Sequence, residues 1–262
     1  MKIAVCMKQV PAESRGLMDE KTGVIMRAGL KPEVNCYDLS ALEAALRIRE
    51  SIPAEIHAFS MGPLQAADVL RTAFSMGADA GFLISDPAFS GADVLATSYT
   101  LYRAIETAGE YELILCGRQT TDGDTAQVSG ALAQWFNIPH ANWVSGIEKV
   151  TKMSVTVEQK TEYEQMRMQL PLPCLLSVAR DEFLPRLPSL RLKMAAGKKS
   201  ITSVGLNDLS DRDMSHYGLY GSATRVKKIY PPPRTQRRPL FSGTAEDCAE
   251  MILGAVRDEV TG

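Results

Sequence analysis

Long apolar runs are missing from this 262-residue chain: none approaches the roughly 18 residues of a membrane span. The opening MKIAVCMKQV enters a strand-like run with no signal-peptide pattern. A soluble, cytoplasmic protein is therefore expected. Cysteine is sparse and odd in number (Cys6, Cys36, Cys116, Cys174, Cys248) and never spaced as CxxC, which excludes a disulfide framework and a zinc signature. His57, His140 and His216 are too few and too separated for a histidine-based metal site. Excess charge of one sign is also lacking. Lys plus Arg total 29 against 31 Asp plus Glu, a net charge of −2, so no nucleic-acid partner is expected. No G-x-G-x-x-G follows the first strand, and there is neither a Walker A sequence nor a G-x-S-x-G elbow. The commonest phosphate cradles are absent, and no side chain is expected to be catalytic.

What is present is ordinary globular composition, 45% hydrophobic and 23% charged, enough for one large domain or a domain with an appendage. The first part alternates short β-branched runs with helical periodicity. Strands are expected at Lys2–Val10, Ile56–Ser60, Gly81–Ser85 and Glu112–Cys116, with helices at Asp38–Glu50, Leu64–Phe74, Ala92–Thr107 and Thr125–Phe136. From Asn142 to Val178 the period shifts towards 2, giving further strands. Right-handed crossovers make this an α/β fold, a doubly wound, mostly parallel, Rossmann-like sheet.

Residues 184–262 differ. Pro185, Pro188 and the run Tyr230–Pro233 interrupt regular structure. Residues 1–183 carry 16 basic and 23 acidic side chains, a balance of −7, whereas 184–262 carry 13 and 8, a balance of +5. The expected organisation is an α/β domain over 1–183 and a basic arm over 184–262. The arm ends in a helix over Thr244–Val260, and lies either along a partner or around its own domain.

One loop stands out: Gly117, Arg118, Gln119, Thr120, Thr121, Asp122, Gly123, Asp124, Thr125, Ala126, Gln127, Val128. It joins a strand end to a helix start, where ligands sit in open α/β sheets. Its glycines admit close backbone approach, and the free N–H groups of the following helix suit a phosphate. Asp122 and Asp124 are better placed as a helix cap or as partners for sugar hydroxyls; a plain capped turn is the competing reading. Three more loops belong to the same edge: Cys6, Met7, Lys8, Gln9 and Val10; Met61, Gly62 and Pro63; and Ser90, Gly91, Ala92 and Asp93. Lys8 is a candidate phosphate partner or a plain surface lysine, and Asn35 and Asp38 read as helix caps by default.

These segments, in this order, resemble the beta subunit of electron transfer flavoproteins over essentially the whole chain. The resemblance is carried by Val5–Pro11, Asn35–Ala45, Ser60–Pro63, Arg71–Asp79, Gly117–Val128 and Leu187–Ala196. It implies a nucleotide-binding α/β domain paired with a flavin-carrying alpha subunit. Ordinary members hold AMP; members that bifurcate electrons hold FAD at the same place and take hydride from NADH. The Asp122–Gln127 loop and the stretch Phe89–Thr97 are similar to the second group. The implied cofactors are thus FAD and NAD(H), with AMP in place of FAD as the alternative. Their implied contacts are Cys6, Met7, Lys8, Asn35, Asp38, Met61–Pro63, Phe89–Asp93, Thr97, Gly117–Gln119 and Asp122–Val128. Two departures stand out: Asn35 is followed by Cys36 where the family usually has proline, and Val10-Pro11 by Ala12-Glu13 where it usually has aspartate.

The same resemblance makes Leu187, beside Pro188, the apolar anchor for a client dehydrogenase. The implied function is bifurcation of electrons from NADH to ferredoxin and, through the alpha-subunit flavin, to an acyl-CoA or lactate-type dehydrogenase. The chain is then active only as part of a complex. Two other functions compete: a conventional beta subunit with structural AMP, and a nucleotide-sensing module of the universal-stress kind.

Overall fold

A computed structural model describes residues 1–12, 17–18, 25–26, 31–180, 182–225, 227 and 242–261. Glu13 and the run Tyr230–Pro233, both noted above, lie outside them. The chain divides into two compact units, Met1–Lys227 and Lys228–Gly262. In the second, a helix occupies Ala245–Thr261, and Thr244 and Asp247 cap its start by reciprocal hydrogen bonds.

The first unit is built on nine strands: β1 (Lys2–Cys6), β2 (Glu55–Met61), β3 (Ala80–Ile84), β4 (Leu113–Gly117), β5 (His140–Val150), β6 (Ser154–Lys160), β7 (Gln165–Pro171), β8 (Cys174–Val178) and β9 (Thr202–Val204). Their order is β7-β6-β5-β8-β4-β1-β2-β3-β9. The run from β5 to β9 is parallel, and β6 and β7 add antiparallel at one edge. Five helices cover the sheet: α1 (Cys36–Ser51), α2 (Ala67–Met76), α3 (Val94–Ala108), α4 (Val128–Phe136) and α5 (Leu190–Ala196).

The central strands are buried on both faces, which is why they read as continuous apolar runs rather than as alternation. Ile3 and Val5 of β1 pack with α1, α2 and α5; Ala4 and Cys6 pack with α3 and α4. This is the doubly wound α/β fold expected from the alternation of periods.

Several boundaries move for tertiary reasons. The expected strand Lys2–Val10 ends at Cys6, because Lys8 N–H turns to donate to Asp38 and Gln9–Pro11 pairs instead with Pro32–Val34. The expected helix start at Thr125 falls at Val128, because Asp124 (φ 51°) and Ala126 (φ 53°) hold the preceding loop in left-handed conformations. Residues 184–227 fold with the first unit: β9 extends the sheet beside β3, and α5 packs on α2. No helix among the described residues is long and apolar enough to cross a membrane.

Candidate functional site

Strands β1, β2 and β3 run outwards in one direction and β4 begins again on the other side of β1. The order therefore reverses between β1 and β4, the place where open α/β sheets hold a crevice at the carboxyl ends of the strands. Cys6, Met7 and Lys8 lie there at the end of β1, Gly117 to Gln127 follow β4, and Asn35 and Asp38 stand at the start of α1.

A buried carboxylate organises the crevice. Asp38, 5% exposed, accepts from Lys8 N at 2.8 Å and from the backbone of Gly117. A Cβ at position 117 would fall against Asp38 Oδ1 and only 2.6 Å from the Tyr37 carbonyl carbon, so glycine is required by space. Burial pushes the Asp38 carboxyl up to about 7, against the opposing hydrogen bonds from Asn35 and Lys8.

Lys8 Nζ reaches over the crevice to both oxygens of Asp122, at 2.7 and 2.8 Å. Burial works to raise the Asp122 pKa, but the Lys8 hydrogen bond and charge outweigh it and hold the group below its ordinary value. Asp124 accepts from the Gln119 side chain. Neither aspartate caps α4, whose N-cap is Gln127 with no side-chain bond, so the expected cap is corrected. Asn35 occupies the N-cap position of α1, yet its amide donates instead to Gln119 O at 2.8 Å. Both helices flanking the crevice thus begin without a side-chain cap, leaving N–H groups to answer an anion. By contrast, Asp93 caps α3 through Ala96 N.

Four buried side-chain atoms among the described residues have no hydrogen-bond partner: Asn35 Oδ1, Ser60 Oγ, Arg118 Nε and Ser177 Oγ. Arg118 follows β4, and its guanidinium lies 4.0 Å from the Trp143 ring centroid. Ser60 and Ser177 are the penultimate residues of β2 and β8, and Asn35 N–H donates to Lys8 O beside the end of β1. All four therefore lie along the carboxyl ends of four adjacent strands, β8-β4-β1-β2. Unpaired buried polar atoms are costly and rare, and all four gather at one edge of the sheet. A wide cleft of about 1370 Å³ opens at the opposite edge between Lys2, Glu55, Tyr111, Glu112 and Pro173. None of the four atoms lines it.

The remaining loops stand farther along the same edge. Gly62 N–H, in the turn Met61-Gly62-Pro63, donates to Ile84 O. The loop from Phe89 to Asp93 is held by the chain near Tyr217. Leu219 N–H donates to Ser90 O at 2.9 Å, Asp93 N–H to Ser222 Oγ at 2.9 Å, and Thr224 N–H to Asp93 Oδ2 at 2.8 Å. Gly91, at φ +75°, faces Leu219. Thr97 lies in the first turn of α3, its N–H bonded to Asp93 O.

The expected partner-facing residue Leu187 is 91% exposed, in a row with exposed Leu184, Pro188, Leu190 and Met194. The row is anchored by Arg186, which forks onto Glu43 of α1 (2.8 and 3.0 Å) and reaches Glu50 at 2.8 Å. Burial works to raise the Glu43 pKa, but Arg186 outweighs it and holds the carboxyl below its ordinary value.

A family model described as "Electron transfer flavoprotein domain" matches residues 22–209. This chain belongs to the electron transfer flavoprotein family, on its beta-subunit side. It is 38% identical to the Caffeyl-CoA reductase-Etf complex subunit CarD of Acetobacterium woodii, over 100% of this chain and 95% of that one. It is likewise 38% identical to an electron transfer flavoprotein subunit beta of Megasphaera elsdenii, over 89% and 88%. With the acryloyl-CoA reductase electron transfer subunit gamma of Anaerotignum propionicum it shares 34% over 97% of each chain. Electron transfer flavoprotein beta subunits work in redox complexes with an alpha subunit and dehydrogenases, and the universal-stress reading gives way to this membership.

Reading the sequence alone missed Ser60 and Ser177, and the lock formed by Leu219, Ser222 and Thr224. The two serines carried a signal: each is a hydroxyl one residue from the end of a buried apolar strand, in HAFSM and CLLSV. The lock carried none, because its partners stand up to 131 positions apart.

Proposed function

We propose that this electron transfer flavoprotein subunit binds FAD along the carboxyl edge of its sheet, receives reducing equivalents from NADH there, and bifurcates them. One electron then goes to ferredoxin and the other, through the alpha-subunit flavin, to a partner dehydrogenase of the acyl-CoA or lactate type. The observation that carries the reading is the row of four unpartnered polar atoms. It crosses four adjacent strand ends, a span of about 14 Å at sheet spacing, which suits an extended dinucleotide.

The protein binds and orients in this reading. Lys8 and the uncapped starts of α1 and α4 answer phosphates. Gly123 keeps the backbone bare beneath them, Gly117 lets Asp38 pack against the end of β4, and Asp122 holds Lys8 until an anion competes for it. The loop from Phe89 to Thr97, locked by residues 219–224, flanks the ring end. Bound FAD would supply the hydride and single-electron chemistry, and the chain would set its orientation and surroundings. Leu187 and Pro188 present the apolar anchor to the dehydrogenase, with Arg186 fixing their direction.

The test is the nucleotide content of the chain co-expressed with its alpha subunit. Two FAD released per heterodimer are expected, with loss of one on replacing Asp124 and Thr125 by alanine. One FAD and one AMP would replace this reading with a conventional carrier, in which only the part of the edge between β4 and β1 is filled.

A further inference from the structure

Two free cysteines meet where the sheet order reverses. Cys6 is the last residue of β1 and Cys116 the penultimate residue of β4, and the parallel pairing of these strands sets them directly opposite each other. Neighbouring strands lie about 4.8 Å apart, so opposed residues fall within the Cα separation of about 4.4–6.8 Å that a disulfide spans. Both side chains also point to the same face of the sheet, into the apolar cluster under α3 and α4. The Cys116 thiol is hydrogen-bonded to Cys6, and that bond together with burial holds it neutral. The other cysteines lack this arrangement. Cys36 opens α1, Cys248 belongs to the helix of the second unit, and Cys174 begins β8 opposite Leu113, at the amino edge of the sheet.

We propose that Cys6 and Cys116 are a redox modification site, closed to a disulfide by hydrogen peroxide and reopened by a dithiol, and that closure loosens the bound nucleotide. Peroxide oxidises the Cys6 thiol to a sulfenic acid and leaves as water. The Cys116 thiol then attacks that sulfur, forms the S–S bond and releases a second water. The two thiols together lose two electrons and two protons, which the peroxide takes up. A dithiol reverses the step by exchange and leaves as its own disulfide. The coupling to the nucleotide follows from position. The Cβ atoms of a disulfide lie about 3.8 Å apart, closer than the strand spacing, so closure draws the ends of β1 and β4 together. That junction has no slack: Gly117, next to Cys116, already packs against Tyr37 and Asp38 with no room for a Cβ. Lys8, two residues past Cys6, is tied to Asp38 through its N–H and to Asp122 through its ammonium. A shift of the strand ends therefore reaches the two loops assigned to the phosphates. Only this coupling rests on the nucleotide reading above; the pairing of the two thiols does not.

The experiment treats the purified heterodimer with hydrogen peroxide, both as isolated and after nucleotide depletion. Remaining thiols are then alkylated, and the chain is digested without reductant for mass spectrometry. A linked pair of peptides carrying Cys6 and Cys116 is expected, lighter by two hydrogens than the two thiol peptides and absent after dithiothreitol. Release of bound nucleotide from the oxidised heterodimer should be several-fold faster than from the untreated one, and dithiothreitol should restore the slow rate. Cys116→Ala should give no linked pair and a release rate that peroxide leaves unchanged, whereas Cys36→Ser should respond as the wild type does. Wild-type protein with no Cys6–Cys116 link in either form overturns the inference, even if the variants fail to fold. A link that joins Cys36 or Cys174 to one of the pair overturns it equally. Linkage with an unchanged release rate overturns the coupling. A heterodimer that carries no nucleotide on this chain fails the nucleotide reading instead, and the linked peptide then still decides the modification site.

Discussion

Gly117 shows how much a single missing atom can decide. Its backbone passes so close to Tyr37 and Asp38 that a methyl group there must push α1 away from β4. Overpacking of this kind costs about 1–3 kcal/mol. Gly117→Ala is therefore expected to lower the free energy of unfolding, read from urea denaturation, by that amount and to weaken nucleotide retention in the purified heterodimer. Gly123→Ala serves as the control, because its Cβ would meet nothing closer than Thr120 Oγ1 at 3.4 Å. Equal losses from both would show that crowding against Asp38 is not the cause. The sequence made Gly117 and Gly123 look alike, since both interrupt one loop. What separates them is the distance to α1, which only the folded chain defines. Asn35 and Asp38 teach the same lesson: a polar residue at a helix start reads as a cap, yet both turn away from their own helix to bind the loops beside it.

At the scale of elements, the parallel strands and their helices were legible because their apolar periods are set by burial within each segment. Segments whose conformation depends on a distant partner were not. The start of α4 was misjudged by three residues because Asp124 and Ala126 adopt left-handed backbone that their side chains do not announce. β9 was missed because three residues, TSV, carry too little pattern, and its strand character comes from pairing with β3. The row from Leu184 to Met194 shows the same dependence energetically. Arg186 holds it to α1, and removing the guanidinium leaves Glu43 buried with Arg47 as its charged partner and the backbone N–H of residue 186. Arg186→Ala is expected to destabilise the chain by about 2 kcal/mol, from the lost charged hydrogen bonds. It should also weaken binding of the partner dehydrogenase without changing nucleotide content. Arg186→Lys, which keeps the charge but not the fork, should fall between. Unchanged dehydrogenase affinity in Arg186→Ala would mean that the row needs no anchor.

For the whole molecule, the hydrogen-bonded carboxylates divide into two groups with opposite pH behaviour. Glu43, Asp93 and Asp122 are held below their ordinary values, so their contribution is present above those values and disappears as pH falls through the lowered ones. Asp38 is raised from 3.8 to about 7, so its contribution is present at acid pH and is lost as pH climbs between those values. Stability should accordingly peak at mildly acid pH and decline towards neutrality. Asp38→Asn should remove the decline but not the loss at low pH. Denaturant unfolding from pH 3.5 to 8.5 checks this; a wild-type curve still rising at pH 8 would contradict it.

The lock on the loop from Phe89 to Asp93 also has a meaning in time. Its partners Leu219, Ser222 and Thr224 lie about 130 positions later in the chain. A chain emerging from the ribosome completes its last sheet strand at Val204 before any of them has been made. The edge of the sheet is thus assembled in two stages: the end of β1 and the loop after β4 come first, and the far loop is closed only once the chain has been extended past Thr224. A ligand that spans the whole edge can be fully enclosed only after that second stage.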